Sequence, residues 1–189
     1  SQSGQLTEIL NSFTGPLIDA GNTVEKIQID LTNEYPFPWS GKSFFSVMPD
    51  CVLEVPTKIK DFQFKETSYD LVILGYQAWF LSPSIPSNSI LNQPSVKAVL
   101  KNTPVVTITG ARNMWISAME RIRMKLKELE AKHVGNIALV DKHANIVSFV
   151  TILYWMFTGK RDRYLNIFPK PGVSGSDIAN CNLYGSVVK

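Results

Sequence analysis

Continuous apolar runs of strand length, each ending at a glycine or an aspartate, recur along the chain and are separated by amphipathic segments. Such a run is typical of a strand covered on both faces, as in a parallel sheet. The intervening segments predict one helix near 87–101 and another at 113–132. The predicted strands are 69–76, 103–109 and 135–140. This alternation predicts an α/β fold, a doubly wound parallel sheet with helices on both faces.

The beginning of the chain adds a helix and a further strand to this prediction. Apolar residues recur at helical spacing over 5–20, and polar and apolar residues alternate over 23–31. A doubly wound sheet starts with a strand that leads into its first helix. The chain starts with SQSGQ, the turn that would follow such a strand. We therefore expect the first strand to lie upstream of Ser1.

Composition favours one globular domain over 1–189 and narrows the functional classes. The 189 residues are 44% hydrophobic, which is enough for one core, and the net charge of +3 is milder than nucleic-acid binding usually requires. Cys51 and Cys181 lie far apart in sequence and suit a reducing, cytoplasmic compartment. His133 and His143 are too isolated for a zinc site, so no metal site is predicted.

Two further segments are notable for their apolar residues: the amphipathic helix at 113–132 and the apolar run at 146–157. The helix at 113–132 places Ala118, Ile122, Leu126 and Leu129 on one face, and we interpret its basic residues as a solvated face. The apolar run at 146–157 is too short to span a bilayer, which takes about 20 residues. A buried helix or strand, a subunit contact and a contact with a membrane surface remain as interpretations of this run.

Ligands of doubly wound sheets bind at the carboxyl ends of the strands. The stretch SQSGQLT favours an anion, because it combines hydroxyl groups, a flexible glycine and the free N–H groups of a helix start. The absence of lysine favours a phosphate monoester held by neutral donors. The alternative is an ordinary helix N-cap. After the next strand, Trp79 and Phe80 either stack on a planar ligand or cap the core. After the third, Arg112 offers forked donors and Asn113 is a candidate N-cap.

The order SQSGQLT, YDLVILGYQAWFLSPSIP and TPVVTITGARNMW resembles the flavodoxin family over about 1–141. This resemblance implies a phosphate loop for flavin mononucleotide (FMN), in which Leu6 stands where a threonine is usual, and two loops that enclose the isoalloxazine ring. The residues implied at the phosphate are Ser1, Ser3, Gly4, Gln5 and Leu6. Those implied at one side of the ring are Gln77, Ala78, Trp79 and Phe80. Those implied at its other edge are Gly110, Ala111 and Arg112.

A narrower resemblance rests on YPFPWS, ARNMW, WMFTGK and IFPKPGVS, which are similar to stretches of flavodoxin-like proteins assigned to dialkylresorcinol biosynthesis as condensing enzymes. It implies a redox or aromatising step on a ring intermediate.

Two segments depart from an ordinary flavodoxin. The aromatic insert at 35–65 contains a helix around 42–48 and is interpreted as packing on the sheet, as a lid over the flavin or as a homodimer contact. The extension at 146–189 carries Lys160, Arg161 and Arg163, which are either solvated or meet the phosphates of a nicotinamide dinucleotide or an acyl-carrier substrate.

The expected function is that of an FMN-dependent oxidoreductase with NAD(P)H as reductant, acting on a small apolar or aromatic substrate such as a quinone or cyclic dione. No nucleic acid and no transmembrane segment are expected. The alternatives are the aromatising step, a non-catalytic electron carrier and a flavodoxin-like shell without cofactor.

Overall fold

The computed structural model describes residues 3–112 and 114–188. Its central feature is a parallel sheet of three strands in the order β1-β4-β5, accompanied by a short antiparallel hairpin, β2-β3. In chain order the elements are α1 (Gln5–Asp19), α2 (Gly41–Val52), β1 (Val72–Tyr76), β2 (Ala78–Trp79), β3 (Ser82–Pro83), α3 (Ile85–Leu91), α4 (Pro94–Leu100), β4 (Pro104–Ala111), α5 (Ile116–Glu128), β5 (Lys132–Val140), α6 (Asn145–Thr158), a 3₁₀ turn (Tyr164–Asn166), α7 (Gly175–Ala179) and α8 (Cys181–Val188).

The predicted parallel strands are confirmed, and their register brings their ends together. Tyr76 at the end of β1 lies opposite Thr109 of β4, and Ala111 at the end of β4 lies opposite Val140 of β5. Because all three strands run in the same direction, their carboxyl ends form one border of the sheet. This border is called the carboxyl edge below.

Helices cover both faces of the sheet, as the alternation of elements predicted. One hydrophobic cluster joins α3, α4 and α5 to residues of β1 and β4, and the other joins α1, α7 and α8 to the opposite face. Within β4, Val105 belongs to the first cluster and Val106 to the second, as the two-residue period of a strand requires. The chain is therefore a mixed α/β protein.

The helix predicted at 113–132 is confirmed as α5, and the helix predicted near 87–101 forms two shorter helices. The apolar residues predicted on one face of α5 are all 7% exposed or less: Ala118, Ile122, Leu126 and Leu129. The helix predicted near 87–101 is divided into α3 and α4. Pro94 occupies the first position of α4, where its missing N–H costs no hydrogen bond, but it cannot continue the preceding helix.

The strand predicted at 23–31 is wrong. In this stretch only Leu31 forms a β-bridge, an antiparallel one with Ile59, among the described residues. Val24 packs against the cluster on the α1 face and Ile29 against the cluster on the other face. The alternating pattern therefore reflects packing on two sides, whereas a strand also needs a neighbouring backbone to pair with, which sequence alternation does not supply.

The apolar run at 146–157 forms α6, but it is not a buried helix. Its buried residues are Ser148, Thr151 and Trp155, while Ile146 is 80% exposed and Phe149 is 48% exposed. Much of its apolar surface therefore faces solvent. Over 3–112 and 114–188, no helix has the length and apolar character needed to cross a membrane.

Candidate functional site at the carboxyl edge

The three stretches implicated by the sequence meet at the carboxyl edge. A β-carbon built on Gly110 would lie 2.7 Å from Cδ1 of Ile9, and one built on Gly75 would lie 2.6 Å from Cδ1 of Leu10. The first turns of α1 thus sit directly on the ends of β1 and β4, and the two glycines permit this approach. The start of α1 is thereby placed beside the loops that follow β1 and β4.

Gly4 turns the chain into α1. Its φ of 77° is left-handed, which glycine adopts without steric cost, and α1 begins at the next residue with no side-chain cap. The N-cap explanation of the two serines therefore does not hold for Ser3, and Ser1 lies outside the described residues. Ser3, Gly4 and Leu6 are partly exposed, so this turn is open to a small anion.

The side chain of Gln5, which was expected at the phosphate site, binds the backbone of Val173 instead. Its side chain is 7% exposed, its Nε2 donates to the carbonyl of Val173 over 3.2 Å, and its Oε1 accepts from the N–H of Val173 over 3.2 Å. The amide therefore ties the C-terminal part of the chain to the start of α1. Only the backbone of Gln5 remains available to a phosphate.

Gln77 to Phe80 form and border the hairpin of β2 and β3. Phe80 and Leu81 at its tip have left-handed φ values of 48° and 64°. The thiol of Cys51 in α2 donates to the carbonyl of Trp79 over 3.3 Å. Burial raises the pKa of that thiol to about 11, so it stays protonated and can act as the donor.

The rings of the hairpin contact other rings of the protein. The ring of Trp79 packs edge to face against Tyr35 and against Trp39, with 5.7 Å between the ring centroids in each pair. The ring centroids of Phe80 and Phe44 lie 4.8 Å apart. These partners, Tyr35, Trp39, Phe44 and the adjoining Phe45, are called the aromatic cover. The interpretation of Trp79 and Phe80 as rings that cap the core fits these contacts.

The aromatic cover is anchored to α6. The N–H of Trp39 donates to the carbonyl of Met156 over 2.8 Å, and Phe44 packs edge-on against Phe157 at 5.8 Å. Since the other end of α6 is bound by Arg112, this helix bridges the carboxyl edge from β4 to the aromatic cover.

The side chain of Arg112 forms hydrogen bonds with the first turn of α6. Its Nη2 donates to the carbonyl and to Oδ1 of Asn145, and its Nε donates to Ser148 over 3.2 Å. The guanidinium also lies 5.2 Å from the ring centroid of Phe149. Burial lowers the pKa of Arg112, and the negative charge of Asp141 opposes that change. Arg112 therefore holds α6 at the edge, while the predicted N-cap Asn113 lies outside the described residues.

Three polar atoms at the carboxyl edge are buried without a hydrogen-bond partner among the described residues: Tyr76 Oη, Thr109 Oγ1 and Asp141 Oδ2. Each belongs to the end of a different strand or to the residue after it. Burial also raises the pKa of Tyr76, which keeps its hydroxyl neutral. Buried polar groups normally have partners, so this set distinguishes the edge from the rest of the core.

Asp141 and His143 form a pair that the sequence analysis did not single out. Asp141 is 4% exposed, and its Oδ1 lies 2.6 Å from Nδ1 of His143 and 3.0 Å from the backbone nitrogen of His143. A buried carboxylate thus orients an exposed imidazole. The signal in the sequence was D-x-H directly after the apolar run that ends β5. Over the described ranges, no three His, Cys, Asp or Glu side chains are grouped as metal ligands.

In comparisons with known proteins, no protein-family model, no curated protein and no solved structure matches this chain significantly.

Proposed function

We propose that this protein is an FMN-dependent oxidoreductase that uses NAD(P)H and acts on a small apolar or aromatic substrate such as a quinone or cyclic dione. The observation that carries the proposal is the left-handed turn at Gly4, which enters α1 at the edge where two loops leave adjacent strands. The flavodoxin-like, doubly wound arrangement belongs to the same proposal, because it rests on the resemblance of these three stretches.

The phosphate end of FMN fits the turn into α1. Ser3 supplies a hydroxyl donor, and Gly4 has open space where a side chain would stand. The N–H groups of the first helical turn, beginning with Gln5, point out of the helix and favour a negative charge. Gly4 and Ser3 are both partly exposed, so a phosphate reaches them without disturbing the core.

The ring end of FMN fits only after a rearrangement. Trp79 is engaged by Tyr35 and Trp39, so the aromatic cover must release it before a flavin ring can stack there. The unpartnered atoms Tyr76 Oη and Thr109 Oγ1 belong to paired residues of β1 and β4 near the hairpin in sequence, and in this proposal they are the groups that gain from a polar heterocycle. In this proposal the aromatic cover acts as a lid that keeps water from the ring and admits an apolar substrate.

Bound FMN would supply hydride transfer. The protein would supply the proton, and the Asp141–His143 pair is suited to that task. With Nδ1 donating to the carboxylate, Nε2 of a neutral His143 is left as a proton acceptor, and a protonated ring donates from the same atom. His143 lies after β5, at the same edge as the other strand ends.

An enzyme fits these features better than an electron carrier does. A carrier exchanges electrons through an exposed flavin edge and docks on partners by strong charge complementarity. This chain has a net charge of only +3, and its aromatic cover closes the hairpin side of the edge.

The test is a titration of the purified protein with FMN, followed by flavin absorbance and by quenching of flavin fluorescence. We expect binding by the wild type and weaker binding by Ser3→Ala, by about threefold to tenfold for one lost hydrogen bond. Ser186→Ala removes an exposed hydroxyl from α8 and is the matched control. A protein that leaves flavin fluorescence unchanged contradicts the proposal. Given binding, NADPH oxidation with a quinone, compared with oxygen-dependent oxidation of a cyclohexanedione, separates reduction from the aromatising alternative.

A further inference from the structure

We propose that a second cavity, beside the start of α1, binds a phosphate-bearing small molecule. Its volume is about 520 Å³, within the range of small-molecule sites. The cavity is separate from the aromatic cover and from the Gln77–Phe80 hairpin. Its described lining includes His143, Arg161, Arg163, Lys170, Gly172 and Val173.

The charge of the lining points to an anion. Three of the described lining residues are permanently cationic, His143 adds an imidazole, and none is acidic. For the side chains of Arg163 and Lys170, the described part of the chain provides no hydrogen-bond or ion-pair partner. Clustered cations without counter-charges repel each other, and an anionic ligand relieves that repulsion.

The acidic groups nearby do not pair with Arg163 or Lys170, although Glu8 pairs with Arg161 and Asp162 accepts a hydrogen bond from the hydroxyl of Tyr154. Asp141 is buried behind His143, and Glu8 lies 3.9 Å from Arg161, at the limit of an ion pair. The carboxylate of Asp177 is held by Lys142 and by the hydroxyl of Ser174. The pKa of Asp177 is lowered chiefly by its hydrogen bond with Lys142, in keeping with that pairing. The free ends of Arg163 and Lys170 therefore keep their charge for a ligand.

The wall of the cavity is preorganised. Gly172 has a left-handed φ of 86°, and a β-carbon there would lie 2.8 Å from Oε1 of Gln5 and 2.9 Å from Trp155. Arg161 lies 5.2 Å from the ring centroid of Trp155 and donates to the carbonyl of Val173 over 3.1 Å. The loop is thus clamped to α1 and α6, so binding costs little ordering of the backbone.

The residue types and the size define the ligand class. Guanidinium groups match phosphate oxygens in pairs, and an ammonium adds a mobile point charge. A cavity of about 520 Å³ is larger than one phosphate group fills, so an organic phosphate suits it better than the free ion. This inference does not rest on the proposed flavin chemistry, although the phosphates of a nicotinamide dinucleotide belong to the same class.

Calorimetric titration with pyrophosphate and with ADP tests the inference. The variant R163Q/K170Q removes the two unpaired cations, and R123Q/K127Q removes the same charge from exposed positions of α5. We expect at least about tenfold weaker binding of both probes by the first variant, as the loss of charge-assisted hydrogen bonds predicts, and little change in the second.

The relative affinities of ADP and pyrophosphate distinguish two kinds of ligand for the cavity. Tighter binding of ADP than of pyrophosphate supports an organic phosphate, and equal affinities assign the site to the phosphate groups alone. The inference is overturned if the wild type binds neither probe, or if both double variants lose affinity equally, since the effect would then come from net charge. Circular dichroism spectra of the variants verify that they are folded.

Discussion

Helix α8 crosses α1 with Gly185 against the backbone carbonyl of Phe13, so closely that a β-carbon on residue 185 would overlap the carbonyl oxygen. Phe13 is 0% exposed and belongs to the cluster that packs α1 on the sheet. The C-terminal helix is therefore joined to the core through a contact that only glycine allows.

Gly185→Ala is expected to lower the free energy of unfolding by about 1–3 kcal/mol or more, because the backbones must separate to admit the methyl group. Urea unfolding measures this change. Gly41→Ala is the control, since nothing lies within 4 Å of a β-carbon at that position. Equal stability of the two variants would show that α8 does not pack on α1 in this way.

Thr109→Val tests the unpartnered hydroxyl at the carboxyl edge. Thr109 is 0% exposed and its hydroxyl lacks a partner among the described residues, so the isosteric methyl group should leave stability unchanged or raise it slightly. Thr107 is the matched control, because its hydroxyl contacts His133 and Asn136. Thr107→Val should cost about 1–3 kcal/mol. Weaker FMN binding by Thr109→Val alone would support the proposed cofactor, and the reverse order of stabilities would contradict the burial of an unpaired hydroxyl.

Cys51 makes the protein sensitive to alkaline pH. Burial raises the pKa of its thiol from 9.0 to about 11. The folded state therefore binds the proton more tightly than the unfolded state, and this contribution is complete below pH 9 and declines as the pH rises toward 11. The difference corresponds to at most about 3 kcal/mol. Between pH 8 and pH 10.5 the free energy of unfolding should fall less in Cys51→Ala than in the wild type. Identical slopes would show that the thiol is accessible to solvent.

Trp39 is expected to be the structural centre of the aromatic cover. It is 6% exposed and contacts Tyr35, Phe44 and Trp79. Trp39→Ala should cost about 3–5 kcal/mol in urea unfolding. Phe45→Ala removes a ring of the cover that is 64% exposed and should cost far less. If the cover is a lid, Trp39→Ala keeps or increases FMN affinity, whereas a loss of affinity would show that Trp39 itself holds the ring.

Gly172 links the cationic cavity to α1. Gly172→Ala places a methyl group against Gln5 and Trp155, so pyrophosphate binding should weaken together with stability. Gly21 has nearly the same φ, 87°, but open space around it. Gly21→Ala therefore reports the backbone strain alone, about 1 kcal/mol. Equal effects of the two variants on pyrophosphate affinity would exclude a role for the clamp.

The local pattern of the sequence was enough to predict the parallel strands, the start of α1 and the buried face of α5. These features depend on residues a few positions apart, whose spacing decides which side chains share a face. The same pattern predicted a strand at 23–31 that does not form, because pairing requires a neighbour that is distant in sequence.

The sequence by itself thus determined the three parallel strands, α1 and α5, and it predicted that three loops meet at one edge of the sheet. Only the tertiary structure decided what their side chains do. Gln5 binds Val173 and Trp79 packs against Trp39, so neither side chain is free for a ligand. A buried polar group or aromatic ring pairs with whichever residue the folded chain places beside it. For Gln5 that residue is Val173, which lies 168 positions away in the sequence.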